Sequence, residues 1–129
     1  MTKVVGELTK PIIDLLEEPY LPAKIMLGEK NLEHMQKEHP EDFLKYGDQL
    51  EEILRSPDYV SLHPKDKSIQ FIKELDDRVM VAVRLSKKGQ LFARTLFVMS
   101  SEKWESYNRK GYIKPVPSSV PQVPETPAS

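Results

Sequence analysis

Apolar positions recur with helical spacing in the first half of the chain and with strand alternation in the second, and the change falls near Ser56. Val4 and Val5 before Gly6 make a short apolar opening. Thr9 as N-cap and Pro11 just inside the first turn announce a helix, because a hydroxyl can satisfy an orphan N–H and proline needs no partner there. Ile12, Ile13, Leu15 and Leu16 fill one of its faces until Pro19 ends it. Pro22 to Leu27 reads as a brief strand closed by Gly28. Leu32 and Met35, at i and i+3, belong to a second helix that should stop near His39, since a residue before proline is pushed out of helical geometry. Phe43, Tyr46, Leu50, Ile53 and Leu54 continue the helical spacing, with a break at Gly47, and Pro57 terminates the helical half.

Three segments in the second half, Ser68 to Leu75, Val79 to Ser86 and Leu91 to Met99, are rich in β-branched and aromatic residues. The turn signals Asp76-Asp77 and Lys87-Lys88-Gly89 separate them, which predicts an antiparallel meander. A type I turn over Lys87 and Lys88, with Gly89 at positive φ, pairs Ser86 with Gln90, Arg84 with Phe92, Ala82 with Arg94 and Val81 with Thr95. On this register Arg84 and Arg94 share the open face and Thr95 points towards the helical layer; a two-residue turn would exchange the faces of the third strand. Ser100 or Ser101 caps a final helix carrying Trp104 and Tyr107, and Gly111 releases a closing strand from Tyr112 to Val116. Helices first and a sheet second means α+β.

The 129 residues, 39% apolar and 30% charged, suit one domain. That domain is expected over 1–116. Prolines 115, 117, 121, 124 and 127 mark KPVPSSVPQVPETPAS, so 117–129 is expected to be a disordered or polyproline tail. The absence of cysteine excludes disulfides, thiolate catalysis and zinc ribbons. No apolar run could span a membrane and MTKVVGELTK lacks a secretory apolar stretch, so no membrane contact and a cytoplasmic home are expected. Charge divides along the chain: residues 1–60 hold 7 Lys or Arg against 13 Asp or Glu, a net −6, whereas 61–114 hold 12 against 6, a net +6. The basic half can meet a polyanion, or the two halves can attract each other within the fold.

Among titratable groups the histidines come first, because their ordinary pKa lies nearest neutrality. His34 and His39 are five apart, too far around a helix to share a metal, and HMQKEH does not match the metalloprotease spacing. His63, before a proline, reads as a solvated loop residue. Glu17-Glu18, Glu51-Glu52 and Asp76-Asp77 read as solvated faces. No Gly-rich phosphate loop and no serine nucleophile elbow occurs, and no cofactor is implied. The remaining set of His, Arg, Lys, Thr and Tyr suits cleavage of RNA by its own 2′-hydroxyl, because the nucleophile then resides in the substrate. Arg84 and Arg94 would clamp the phosphate, Lys37, Lys103, Arg109 and Lys110 would hold flanking phosphates, and Tyr107 or Trp104 would stack on an unpaired base. The other reading of Trp104 and Tyr107 is the apolar stripe of their helix.

LEHMQKEHPEDFLKYGDQLEEILRSPDYV, followed by SIQFIKEL, VMVAVRLS and ARTLFVM, resembles the phage- and mobile-element-associated nucleases of the barnase, EndoU, colicin and RelE-like superfamily. The resemblance covers roughly residues 3 to 114, including VVGELTKPIIDLL. It is carried by His-x4-His-Pro followed by a helix, then Ser-Pro-Asp-Tyr-Val and a Thr-bearing strand. It implies an α+β domain with N-terminal helices packed on a four-stranded antiparallel sheet, and a metal-independent endoribonuclease that cuts tRNA, rRNA or mRNA as a toxin or phage effector. By position, His34 and His39 match the helix histidines and Thr95 the polar residue of the third core strand, while Arg84 and Arg94 match loosely. His39 is preferred to His34 for proton exchange. The late strands depart from the pattern, because they hold no second histidine or glutamate. An immunity or phage protein is a candidate partner. The alternatives are a non-catalytic RNA- or protein-binding module, and an interaction protein that uses the acidic half and the PxxP runs.

Overall fold

The computed structural model describes residues 2–117, so the expected tail at 117–129 lies, but for Pro117, outside the described residues. The elements are β1 (Lys3–Leu8), α1 (Lys10–Leu16), β2 (Ala23–Leu27), α2 (Glu29–Glu38), α3 (Pro40–Tyr46), a 3-10 turn (Gly47–Gln49), α4 (Leu50–Arg55), β3 (Tyr59–Leu62), β4 (Ile69–Glu74), β5 (Arg78–Leu85), β6 (Leu91–Val98), α5 (Ser101–Arg109) and β7 (Lys114–Pro115). Thr9 stands at the N-cap of α1 with Pro11 in the first turn. His39, at φ −135° and ψ 68°, bends the chain between α2 and α3, as the following proline requires. Ser100 Oγ accepts the Lys103 N–H at 3.1 Å and so caps α5.

Among the described residues the strands form one seven-stranded sheet in the order β1-β2-β6-β5-β4-β3-β7. It is mixed: β2 runs parallel to β6, and the other pairs are antiparallel. The expected four-stranded antiparallel sheet behind N-terminal helices is therefore corrected, although the class remains α+β. Two strands escape the sequence pattern for physical reasons. β1 is interrupted by Gly6 and by a register shift between Val4 and Gly6, so its alternation is broken. The glycine is needed, because a Cβ there would lie 2.9 Å from Leu54 Cβ on α4. β3 is four residues long and carries a buried serine, which leaves no hydrophobic run to detect. The helices are not all N-terminal either, since β1 and β2 interleave with them and α5 follows β6.

Residues that pair across strands share a face. The rows Val60, Phe71, Val81, Leu96 and Leu62, Ile69, Val83, Ala93 form one face. Against it pack Ile12, Ile13 and Leu16 of α1 and Ile53 and Leu54 of α4, giving the main core. The second face carries the rows Tyr59, Ile72, Met80, Phe97 and Ser61, Gln70, Ala82, Thr95. α5 covers the first of these rows, where Trp104 and Tyr107 join Ile72, Met80, Met99 and Ile113 in a smaller core. The second row, largely polar, lies beyond it.

Candidate functional site

The β5–β6 hairpin shapes the site. Gly89 has φ 83°, the Ser86 N–H donates to the Gln90 carbonyl at 2.7 Å, and Arg84 pairs with Phe92, as the turn chemistry predicts. After Val83 pairs with Ala93 the ladder skips Arg94, so that Ala82 pairs with Thr95 and Val81 with Leu96. This corrects the expected pairings of Ala82 with Arg94 and Val81 with Thr95. The reason is in the sequence Ala93-Arg94-Thr95-Leu96. Both apolar residues belong in the main core, but they are an odd number apart, which strict alternation forbids and one extra residue permits. Thr95 is thereby turned onto the second face instead of towards α1 and α4.

Arg84 and Arg94 are both exposed and form no ion pair among the described residues. With Asn31, Ser86 and Phe92 they line a shallow depression of about 240 Å³. The structure thus brings the two arginines together, as expected from the sequence.

β6 pairs with β2 only at Leu91 and Phe92, which leaves its later edge open. The α2–α3 bend covers that edge. Asp42 Oδ2 accepts the Val98 N–H at 3.0 Å, and Glu38 Oε1 accepts from the Thr95 hydroxyl at 3.3 Å. The same Glu38 oxygen lies 3.1 Å from His34 Nε2. His34 and Thr95 therefore meet through one carboxylate. Sequence reasoning passes over Glu38, whose signal is its i, i+4 spacing from His34. His39 lies elsewhere, its ring stacked on Phe97 at 5.2 Å, and the Lys103 ammonium sits 4.9 Å from the same Phe97 ring.

Across the sheet, alternation places His63 on the same face as Ser61. Its Nδ1 accepts the N–H groups of Lys65 and Asp66 at 3.1 and 3.3 Å. Burial pushes the Asp66 carboxyl up, but hydrogen bonds from Ser68 and the charges of His63 and Arg84 outweigh it and hold the group below its ordinary value. Beneath lies a buried pair in which Ser61 Oγ donates to Gln70 Oε1 at 2.5 Å.

The other expected contacts are scattered. Trp104 stacks edge-on against Tyr59 at 4.8 Å beneath the Arg78 guanidinium, and Tyr107 packs against Tyr112 at 5.5 Å. Both rings thus belong to the smaller core. Lys37 is exposed on α2, and Arg109 and Lys110 are exposed at the end of α5, with no hydrogen bond or ring contact to the rest of the set among the described residues. No group of three or more His, Cys, Asp or Glu placed to hold a metal occurs among the described residues, and no helix there is long and apolar enough to cross a membrane.

The open sheet face carries two exposed arginines and is bordered by a histidine–carboxylate pair, and the chain is a nuclease by family. The family model described as phage-Barnase-EndoU-ColicinE5/D-RelE like nuclease 3 matches residues 2–106, and the chain belongs to that family. The match includes β1 to β6, α2 and both arginines, and it stops before Tyr107, Arg109 and Lys110. No curated protein and no solved structure matches the chain.

Proposed function

We propose that the protein is a metal-independent endoribonuclease that cleaves RNA by attack of the 2′-hydroxyl on the adjacent phosphate. The observation that carries this reading is the joining of His34 and Thr95 through Glu38 at the border of a face that presents Arg84 and Arg94. In the reaction a base takes the 2′-hydroxyl proton, the freed oxygen bonds to phosphorus, and the 5′-oxygen leaves with a proton, giving a 2′,3′-cyclic phosphate. His34 is preferred for proton exchange, because Glu38 holds its Nε2 and joins it to Thr95, leaving Nδ1 as the nitrogen that can exchange a proton. His39, stacked on Phe97 with the rings inclined by 29°, is the second candidate. Arg84 and Arg94 stabilise the phosphorane, and Thr95 orients it.

RNA of the cytoplasm, whether tRNA, rRNA or mRNA, is the expected substrate, in the setting of a toxin or phage effector held in check by a protein partner. RNA binding without cleavage is the second reading, favoured by β5 and β6, which contain no histidine or carboxylate to serve as a second acid or base. Incubation with total RNA in the presence of a chelator separates the two. The nuclease reading requires defined fragments with 2′,3′-cyclic or 3′-phosphate ends. Fragments with 3′-hydroxyl ends, or full cleavage by His34→Ala, His39→Ala and Thr95→Ala alike, overturn it.

A further inference from the structure

Phe92 lines the same depression as Arg84 and Arg94, and the reaction above does not use it. It is flanked in its row by Arg84 on β5 and Met26 on β2, while Arg94 bulges out two residues further along its own strand. Row neighbours share a face, so Met26 and Phe92 form an apolar floor with Arg84 beside the ring across the ladder and Arg94 two positions along β6. The ring is only half-buried. Helix α5 does not reach it, since the smaller core beneath that helix takes in Phe97 but not Phe92. Asn31, which also lines the depression, accepts the Gly28 N–H at its Oδ1 at 3.1 Å, so its amino group is what it can offer a ligand.

A half-exposed aromatic ring beside two guanidinium groups matches a planar, hydrogen-bonding ring attached to a phosphodiester. Every nucleobase has a π-face that can stack on phenylalanine, and the arginines can pair with the phosphates on either side of it. A base in a duplex has both faces covered by its neighbours and cannot present one to Phe92. We propose that Phe92, with Met26 and Asn31, is a base-stacking subsite that admits an unpaired nucleotide and makes single-stranded RNA, or a loop, the substrate. The proposal rests on the reading of this face as the RNA-cleaving surface.

The test uses the full chain and 2′-O-methyl oligonucleotides, which keep the phosphates but lack the attacking hydroxyl. Wild-type protein should bind a single strand about tenfold more tightly than a hairpin duplex of equal length. Phe92→Leu, which keeps apolar bulk but removes the ring, should abolish that preference and leave the dependence of affinity on salt unchanged; Phe92→Tyr should retain both. Arg84→Ala and Arg94→Ala should instead weaken binding to both oligonucleotides and flatten the salt dependence. The ring-proton signals of Phe92 in the wild type should shift when single-stranded RNA is added, a readout that needs no variant to fold. Binding by Phe92→Leu equal to wild type, equal affinity for strand and duplex, or unmoved ring signals each overturn the subsite alone. Failure of the wild type to bind either oligonucleotide overturns the RNA-cleaving surface as well.

Discussion

The Thr95 hydroxyl donates to Glu38 Oε1 at 3.3 Å, a bond between residues 57 positions apart. It exists because the extra residue at Arg94 turns Thr95 to the second face, and because α2 lies along the part of β6 that β2 leaves unpaired.

In the proposed mechanism Glu38 is a positioning residue for Thr95 and His34, which both meet its Oε1. His34→Ala is expected to slow cleavage by on the order of a hundredfold, as removal of a general acid or base does. Glu38→Gln should lower the rate less, because the amide oxygen can still accept from Thr95 and His34 but without the charge that strengthens both bonds. All three side chains are partly or wholly exposed, so melting temperatures should stay close to wild type. Separate kcat and KM values with matched thermal melts check this; a wild-type kcat in Glu38→Gln would remove the carboxylate from the mechanism.

Gly6→Ala tests the close approach of β1 and α4. The added Cβ would meet Leu54 Cβ at 2.9 Å and Cδ1 at 3.3 Å, and Leu54 is fully buried, so strand and helix must part. Overpacking of this kind costs about 1–3 kcal/mol, which chemical denaturation would read directly.

Acid should destabilise the protein through two carboxyls. The Tyr46 hydroxyl, 2.6 Å away, and the Lys45 ammonium hold Asp77 below its ordinary value against the opposing effect of burial. Asp66 is held low by Ser68, His63 and Arg84 despite burial. A depressed folded-state pKa contributes stability that is complete above the unfolded value, near 3.9, and is lost as pH falls through the folded one. The urea midpoint should thus be flat down to about pH 5 and decline below about pH 4. Asp77→Asn and Asp66→Asn should each remove part of that decline, and an undiminished slope in both would contradict the assignment.

Cutting the chain after Val116 should leave thermal stability unchanged. Among the described residues Val116 is the last to engage the fold, donating its N–H to the Asp58 carbonyl at 2.9 Å and packing against the main core. Beyond it the sequence has few apolar residues to bury. Cutting before Lys114 should instead lower the melting temperature, because it uncovers the β3 edge at Tyr59 and Val60. A loss above about 1 kcal/mol for the shorter truncation would show that the removed segment packs.

The sequence by itself determined the helices, because caps and prolines are local signals: Thr9 and Pro11, Pro40 after His39, Ser100 before α5. It also determined the β5–β6 turn, since Gly89 and the residues before it fix a hairpin within a few positions. Arg84 and Arg94 on one face followed from that turn. The resemblance to the nuclease superfamily was legible in its motifs and agrees with the family match over residues 2–106. Only the tertiary structure decided the seven-stranded sheet, because the addition of β1, β2 and β7 depends on edges that other strands leave free, and an edge leaves no trace in hydrophobic periodicity. The placing of Thr95 was likewise decided by packing. Ala93 and Leu96 both had to reach one core from positions an odd number apart, and the bulge that resolves this conflict carried Thr95 across the sheet to Glu38, a partner that no local pattern could supply.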